Sequence, residues 1–141
     1  MVNPLVVIAP PDYPLCQNPK TISLNRLFQY DFILREPSSG TRRAIERFLA
    51  AEGRSLKSNM EMNSNTAIIQ SVAEGLGLGV VSIHTVTNEL EQGKLKIINA
   101  TGFPLRRFWY LVQRKGRSLS PLSEHFKAYI IEQAKGISSN L

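Results

Sequence analysis

Phe32-Ile33-Leu34-Arg35-Glu36-Pro37-Ser38-Ser39-Gly40-Thr41-Arg42-Arg43 reads as a buried strand turning sharply into a helix. Phe32, Ile33 and Leu34 make a short apolar run, and Pro37, with no N–H to donate, ends strand pairing. The hydroxyl-rich turn leads into Ala44, Ile45, Phe48 and Leu49 at helical spacing, so a helix begins near Ser39. The first N–H groups of a helix have no internal partners, and the dipole makes that end electropositive. A strand-to-helix turn lined with hydroxyls can therefore hold a carboxylate or phosphate. Arg42 and Arg43 sharpen this reading, because each cation in a first helical turn opposes the dipole by roughly 0.3–1 kcal/mol unless an anion offsets it. The plainer alternative stays open: Ser39 as an ordinary N-cap and two arginines on a solvated face.

Upstream, Leu5-Val6-Val7-Ile8-Ala9 is a continuous apolar run stopped by Pro10-Pro11-Asp12, the pattern of a strand buried on both faces. Pro14 to Pro19 reads as a loop, and Ser23 caps a short helix carrying Leu24, Leu27 and Phe28. Downstream, Gly53 stops the helix begun at Ser39, and a strand follows around Ser58 to Met62 with Met60 and Met62 facing the core. Asn63-Ser64-Asn65-Thr66 then repeats the cap-rich turn ahead of Ile68, Ile69, Val72 and Ala73. Gly75, Gly77 and Gly79 follow a helix and precede the strand Leu78 to Ile83, the reverse of the order a dinucleotide fingerprint needs. A short helix over His84 to Leu90 and a strand at Leu95 to Ile98 come next. A stronger strand is expected over Arg107 to Gln113, and then a helix capped by Ser120 with Pro121 in its first turn. That helix presents Leu122, Phe126, Tyr129 and Ile130 on one face and should end at Gly136, with a fraying tail over 135–141. Strands alternating with helices imply a mainly parallel α/β sheet.

The chain has 141 residues, 43% of them hydrophobic, enough for one globular domain with its own core. No apolar run approaches the roughly 20 residues of a membrane helix, and Met1 does not begin a secretory signal, so a cytoplasmic protein without membrane contact is expected. The single cysteine, Cys16, gives neither an intrachain disulfide nor a metal site. A net charge of +6 fits a nucleic-acid partner, an anionic ligand or a merely basic surface. No aromatic-rich surface interleaves the arginines, which leaves direct DNA contact by this chain the lesser reading.

Two cap-rich helix starts, each after a strand, should converge at the carboxyl edge of one parallel sheet, where open α/β sheets hold ligands. A small anionic ligand fits such an edge, and no cofactor or metal is expected. An enzyme reading is poor. Ser38, Ser39 and Thr41 do not form a nucleophile elbow, and His84 and His125 read as structural or surface residues. Glu36 and Glu74 make no acid/base pair, and Glu36 can simply pair with a nearby arginine.

Several blocks also carry a family likeness. Val6-Val7-Ile8-Ala9-Pro10-Pro11-Asp12-Tyr13-Pro14-Leu15, Ile33 through Arg42, Val72-Ala73-Glu74-Gly75-Leu76-Gly77-Leu78-Gly79-Val80-Val81 and Phe108-Trp109-Tyr110-Leu111-Val112 together resemble the effector-binding domain of LysR-type transcriptional regulators. Within that family the chain is similar to the branch controlling carbon-fixation operons and inorganic-carbon uptake. The resemblance implies a fold like type II periplasmic binding proteins: α/β, a parallel or mixed sheet with helices on both faces, and an effector held between two subdomains. It implies residues 1–15 as a crossover strand from subdomain I, 16–114 as effector-binding subdomain II, and 115–141 as the return crossover with the C-terminal helix of subdomain I. A DNA-binding part and the first part of subdomain I would lie outside this chain.

By the same resemblance, the expected effector-binding set is Arg35, Ser38, Ser39, Gly40, Thr41, Ser64, Asn65 and Thr66, and Pro10 falls where some members have a cleft hydroxyl. The implied effectors are phosphorylated or carboxylated metabolites, with DNA reached only through the absent domain. Residues Val2 to Ala9 and the helix from Pro121 would leave a sheet edge and an apolar face uncovered, giving a homo-oligomer, a dimer or higher. The reading from another class is a solute-binding protein of a transporter, which shares the architecture.

Overall fold

Alternation along the first strand sets the architecture. In β1 (Leu5–Ala9) every residue is buried: Leu5, Val7 and Ala9 join one apolar cluster, while Val6 and Ile8 join another on the opposite face. The computed structural model describes residues 1–17, 20–56 and 58–138; Pro19 of the expected loop and 139–141 of the expected tail lie outside the described residues. It divides into two compact units, Pro4–Arg106 and a second made of Met1–Asn3 with 107–141.

The larger unit is built on a five-stranded sheet in the order β3-β2-β4-β1-β5, with β2 at Phe32–Arg35, β3 at Met60–Met62, β4 at Leu78–Ser82 and β5 at Lys96–Ile98. β2 runs parallel to β3 and β4, whereas β1 is antiparallel to β4 and β5, so the sheet is mixed. The register aligns Ile8, Gly79 and Ile33 across three strands. β1 has neighbours on both sides, which corrects the expectation of an uncovered edge at Val2 to Ala9. The edges are β3 and β5, three residues each, too short to template further pairing readily. On the edge strand β3, Met60 is exposed rather than core-facing, and only Met62 packs against the core.

One face of the sheet is covered by α1 (Leu24–Leu27) and α2 (Gly40–Ala51), whose Leu24, Leu27, Ile45 and Leu49 meet Phe32, Leu34, Leu78 and Val80. The other is covered by α3 (Asn65–Ala73), whose Ile68, Ile69 and Val72 meet Val6, Ile8, Ile33 and Val81. Gly53, at φ +66°, accepts the left-handed conformation that closes α2. Gly79 serves packing: a Cβ there would lie 2.9 Å from Val72 Cγ2 and 3.0 Å from Ile68 Cγ2, so the missing side chain lets α3 settle on β4. The expected helix at His84 to Leu90 is a 3-10 turn (Ile83–Thr85) followed by α4 (Thr87–Glu91).

In the second unit, the Asn3 N–H donates to the Arg107 carbonyl (2.6 Å) and the Trp109 N–H to the Met1 carbonyl (2.9 Å). The strand expected over Arg107 to Gln113 does not form. Among the described residues Met1–Asn3 pairs with it, through a bridge between Val2 and Phe108, and Tyr110 and Val112 are 79% and 84% exposed. Strong β propensity makes no strand without a partner of matching length. α5 (Pro121–Ser138) begins as expected, with Ser120 Oγ accepting the Ser123 N–H at 3.2 Å, but runs through Gly136 instead of stopping there. Residues 135–138 of the expected frayed tail are helical. Of its expected apolar face, Leu122, Phe126 and Tyr129 are exposed and Ile130 is half-buried.

Candidate functional site

The parallel register that sets Arg35 beside Met62 brings the ends of β2 and β3 together, so the turns into α2 and α3 leave from one sheet edge. The two helices cover opposite faces, yet their N-termini open at that shared edge. Ser39 caps α2 in an extended conformation, its Oγ accepting the Thr41 N–H at 3.2 Å, and both Ser39 and Thr41 are buried. Ser64 caps α3, accepting the Ala67 N–H at 3.4 Å. The turns are joined directly: Arg35 Nη1 donates to Asn65 Oδ1 at 2.7 Å.

Arg35 also makes a two-pronged ion pair with Glu36, Nε to Oε2 at 2.8 Å and Nη2 to Oε1 at 3.0 Å. The hydrogen bonds from Arg35, with the Glu36 backbone N–H and the Ser38 hydroxyl adding to them, hold the Glu36 carboxyl below the usual carboxylate range. Arg42 reaches back to the end of β2, donating from Nη1 to the Arg35 carbonyl at 3.2 Å, while its Nε pairs with Glu46 at 2.6 Å and Nη1 lies 3.8 Å from Glu61. Arg43 Nη2 donates to the Ser38 carbonyl at 3.2 Å.

These contacts correct the expectation about Arg42. Two carboxylates of the protein offset Arg42 against the dipole, whereas Arg43 hydrogen-bonds the neutral Ser38 carbonyl and keeps its charge. With Arg35 and Arg42 both paired to carboxylates, attraction for an anion rests on helix dipoles, neutral donors and the exposed Arg43. Of the eight expected residues, Arg35 closes β2, Ser38 and Ser39 lie in the turn, Gly40 and Thr41 open α2, and Ser64 caps α3, which Asn65 and Thr66 open. Ser38, Gly40 and Thr66 are exposed, and Arg35, Ser64 and Asn65 are half-buried.

Glu61 and Glu46 belong to the arrangement and were not singled out from the sequence. The spacing of Arg42 and Glu46, one helical turn apart, was the available signal for Glu46. Nothing local pointed to Glu61, which reaches Arg42 only because β3 pairs with β2. Pro10 lies at the opposite edge, because β1 runs antiparallel to β4 and ends beside its start. His84 sits half-buried in the turn after β4, and His125 lies exposed on α5. Among the described residues no group of three or more His, Cys, Asp or Glu is placed to hold a metal ion, and no helix is long and apolar enough to cross a membrane.

Residues 1–135 match the family described as the LysR substrate binding domain. The RuBisCO operon transcriptional regulator of Allochromatium vinosum is 48% identical over 134 residues, covering 95% of this chain and 44% of that protein. Its counterpart in Acidithiobacillus ferrooxidans is 50% identical over 128 residues, covering 91% and 41%. The Synechocystis CcmR regulatory domain, solved in complex with 2-PG, superposes with a TM-score of 0.85 at 36% identity over 94% of this chain and 63% of that one. The effector binding domain of QuiR, solved with shikimate, is alike in fold at a TM-score of 0.78 and 24% identity, covering 96% of this chain and 63% of that one. The chain spans less than half the length of the curated relatives it matches. By sequence and by fold, the chain belongs to the LysR family through its substrate-binding domain.

Proposed function

We propose that this chain is the effector-sensing part of a LysR-type regulator of carbon-fixation genes, binding a small phosphorylated or carboxylated metabolite at the edge where α2 and α3 begin. The observation that carries the reading is the junction itself: two capped helix N-termini at one sheet edge, linked by the 2.7 Å hydrogen bond from Arg35 to Asn65. The likeness to a regulatory domain solved with 2-PG, and to regulators of RuBisCO operons, supports an anionic effector and a carbon-fixation role. Ser39 and Thr41 act as neutral donors on the α2 side, and Ser64, Asn65 and Thr66 on the α3 side. The chemistry is binding, with no catalytic step and no cofactor.

Pro4–Arg106 corresponds to subdomain II in this proposal, since β1 is an inner strand of its sheet. Occupancy is passed in the cytoplasm to a DNA-binding domain outside this chain, in a homo-oligomeric regulator. Thermal unfolding with a panel of small phosphorylated and carboxylated anions, 2-PG among them, tests the reading. A ligand at 100 times its dissociation constant adds about 2.7 kcal/mol to stability. A folded chain whose melting is moved by none of these anions refutes it.

A further inference from the structure

We infer that Glu36 is a specificity-determining residue: an internal carboxylate that occupies Arg35 and that an anionic effector must displace to reach the guanidinium. This rests on the effector-site reading above. Glu36 adjoins Arg35 in the chain and covers two of its donor positions, Nε and Nη2, at 2.8 and 3.0 Å, leaving Nη1 for Asn65. That two-pronged geometry is the one an incoming carboxylate or phosphate would itself adopt. Glu36 and Arg35 are half-buried, so the pair is reachable from solvent and exchangeable.

Arg42 differs. Its side chain, nearly as buried as that of Arg35, is held by Glu46, Glu61 and the Arg35 carbonyl at once, so no single displacement frees it. Of the two arginines at this edge that are paired to carboxylates, Arg35 is therefore the one an anion can take over by replacing one group. The exchange selects on charge. A neutral analogue cannot replace Glu36, and a ligand bearing two negative oxygens can reproduce both of its hydrogen bonds. Because Arg35 keeps Asn65 through Nη1, the exchange would leave the link between the two helix starts intact.

The test measures affinity for inorganic phosphate and for 2-PG by calorimetry on the whole chain and on four variants: Glu36→Gln, Glu46→Gln, Arg35→Gln and the double Arg35→Gln/Glu36→Gln. Removing the competing carboxylate should tighten both probes about two- to fivefold, the scale on which an exposed ion pair is worth something. Glu46→Gln, which removes the same charge from Arg42 instead, should gain less. In the Arg35→Gln background the Glu36 substitution should give no gain. Equal gains from Glu36→Gln and Glu46→Gln, a gain that persists without Arg35, or unchanged or weaker binding by Glu36→Gln each overturn the inference while leaving the site reading intact. If the wild-type chain and Glu36→Gln both bind neither probe, the site reading and the inference fall together.

Discussion

Substituting Ser39 by Ala, Asn and Asp separates its role as a helix cap from its role in anion binding. Ser39 Oγ accepts the Thr41 N–H at 3.2 Å in a buried setting, so Ser39→Ala leaves that donor without its partner. The cost should be about 1 kcal/mol, the usual value of a cap, which lowers the melting temperature by about 3–5 °C in a chain of this size. Asn and Asp cap as well as Ser, so both should retain stability, with Asp favoured further by the dipole.

Binding should split the two. An anion taking the same backbone donors would sit about 4 Å from the carboxylate that Ser39→Asp introduces, and like charges at that distance repel by about 4 kcal/mol at an effective dielectric constant near 20. That is on the order of a thousandfold in dissociation constant, and water reaching the exposed Ser38 and Gly40 side of the turn should still leave at least about tenfold. Melting curves and 2-PG titrations on the three variants give both readouts. Ser39→Asp should melt near wild type and lose 2-PG, while Ser39→Asn melts near wild type and keeps most of its affinity. A folded Ser39→Asp variant with wild-type affinity would refute the placement of the anion on the α2 turn.

Gly79→Ala should destabilise by about 1–3 kcal/mol, read as a lower denaturant midpoint, because its methyl group meets Val72 and Ile68 at 2.9 and 3.0 Å; an unchanged midpoint would show that α3 shifts freely on the sheet. Burial pushes the Cys16 thiol up, outweighing the opposing influence of Lys96, so alkylation at neutral pH should be several-fold slower in the folded chain than in urea, and equal rates would contradict that environment. The Glu36 carboxyl is held low in the folded state, so its contribution to stability is present above the ordinary carboxylate value of about 4.3 and is lost as the pH falls through the folded value. Wild type should therefore lose more stability than Glu36→Gln between neutral pH and acid, and identical acid profiles would show that the ion pair with Arg35 contributes nothing.

Local punctuation carried most of the larger unit. Pro37 and Ser39 set the end of β2 and the start of α2, Gly53 its close, and the uninterrupted run Leu5 to Ala9 described a strand buried on both faces. The failures came where a partner rather than a pattern decides. Arg107 to Gln113 is rich in β-forming residues, yet propensity expresses itself only against a neighbouring strand, and among the described residues the short segment Met1–Asn3 is what bridges to it. Met60 and Met62 alternate as a half-buried strand should, but β3 lies at the edge, where alternation says which residues share a face and not how well that face is covered. The direction of β1 was equally silent in its sequence. An apolar run buried on both faces reads the same either way, and that direction sends Pro10 away from the edge holding Ser39.

The candidate site was legible as positions and illegible as electrostatics. Both cap-rich turns could be found from residue type, and a parallel pairing of two strand ends suffices to bring them to one edge. Arginine in the first turn of a helix suggests either a charge awaiting an anion or a solvated face, and the first would follow if the helix stood alone. In the folded chain Glu46 lies one turn along the same helix, Glu61 arrives on the neighbouring strand and Glu36 adjoins Arg35, so the protein supplies counter-charges for Arg42 and Arg35. An arginine at a helix start therefore argues for a ligand only once the carboxylates within its reach have been placed. Those fall into a kind that sequence can anticipate, one turn or one residue away, and a kind that only strand pairing creates. Glu61 is of the second kind, and it is what separates Arg42, locked from two elements, from Arg35, held by a carboxylate that can leave.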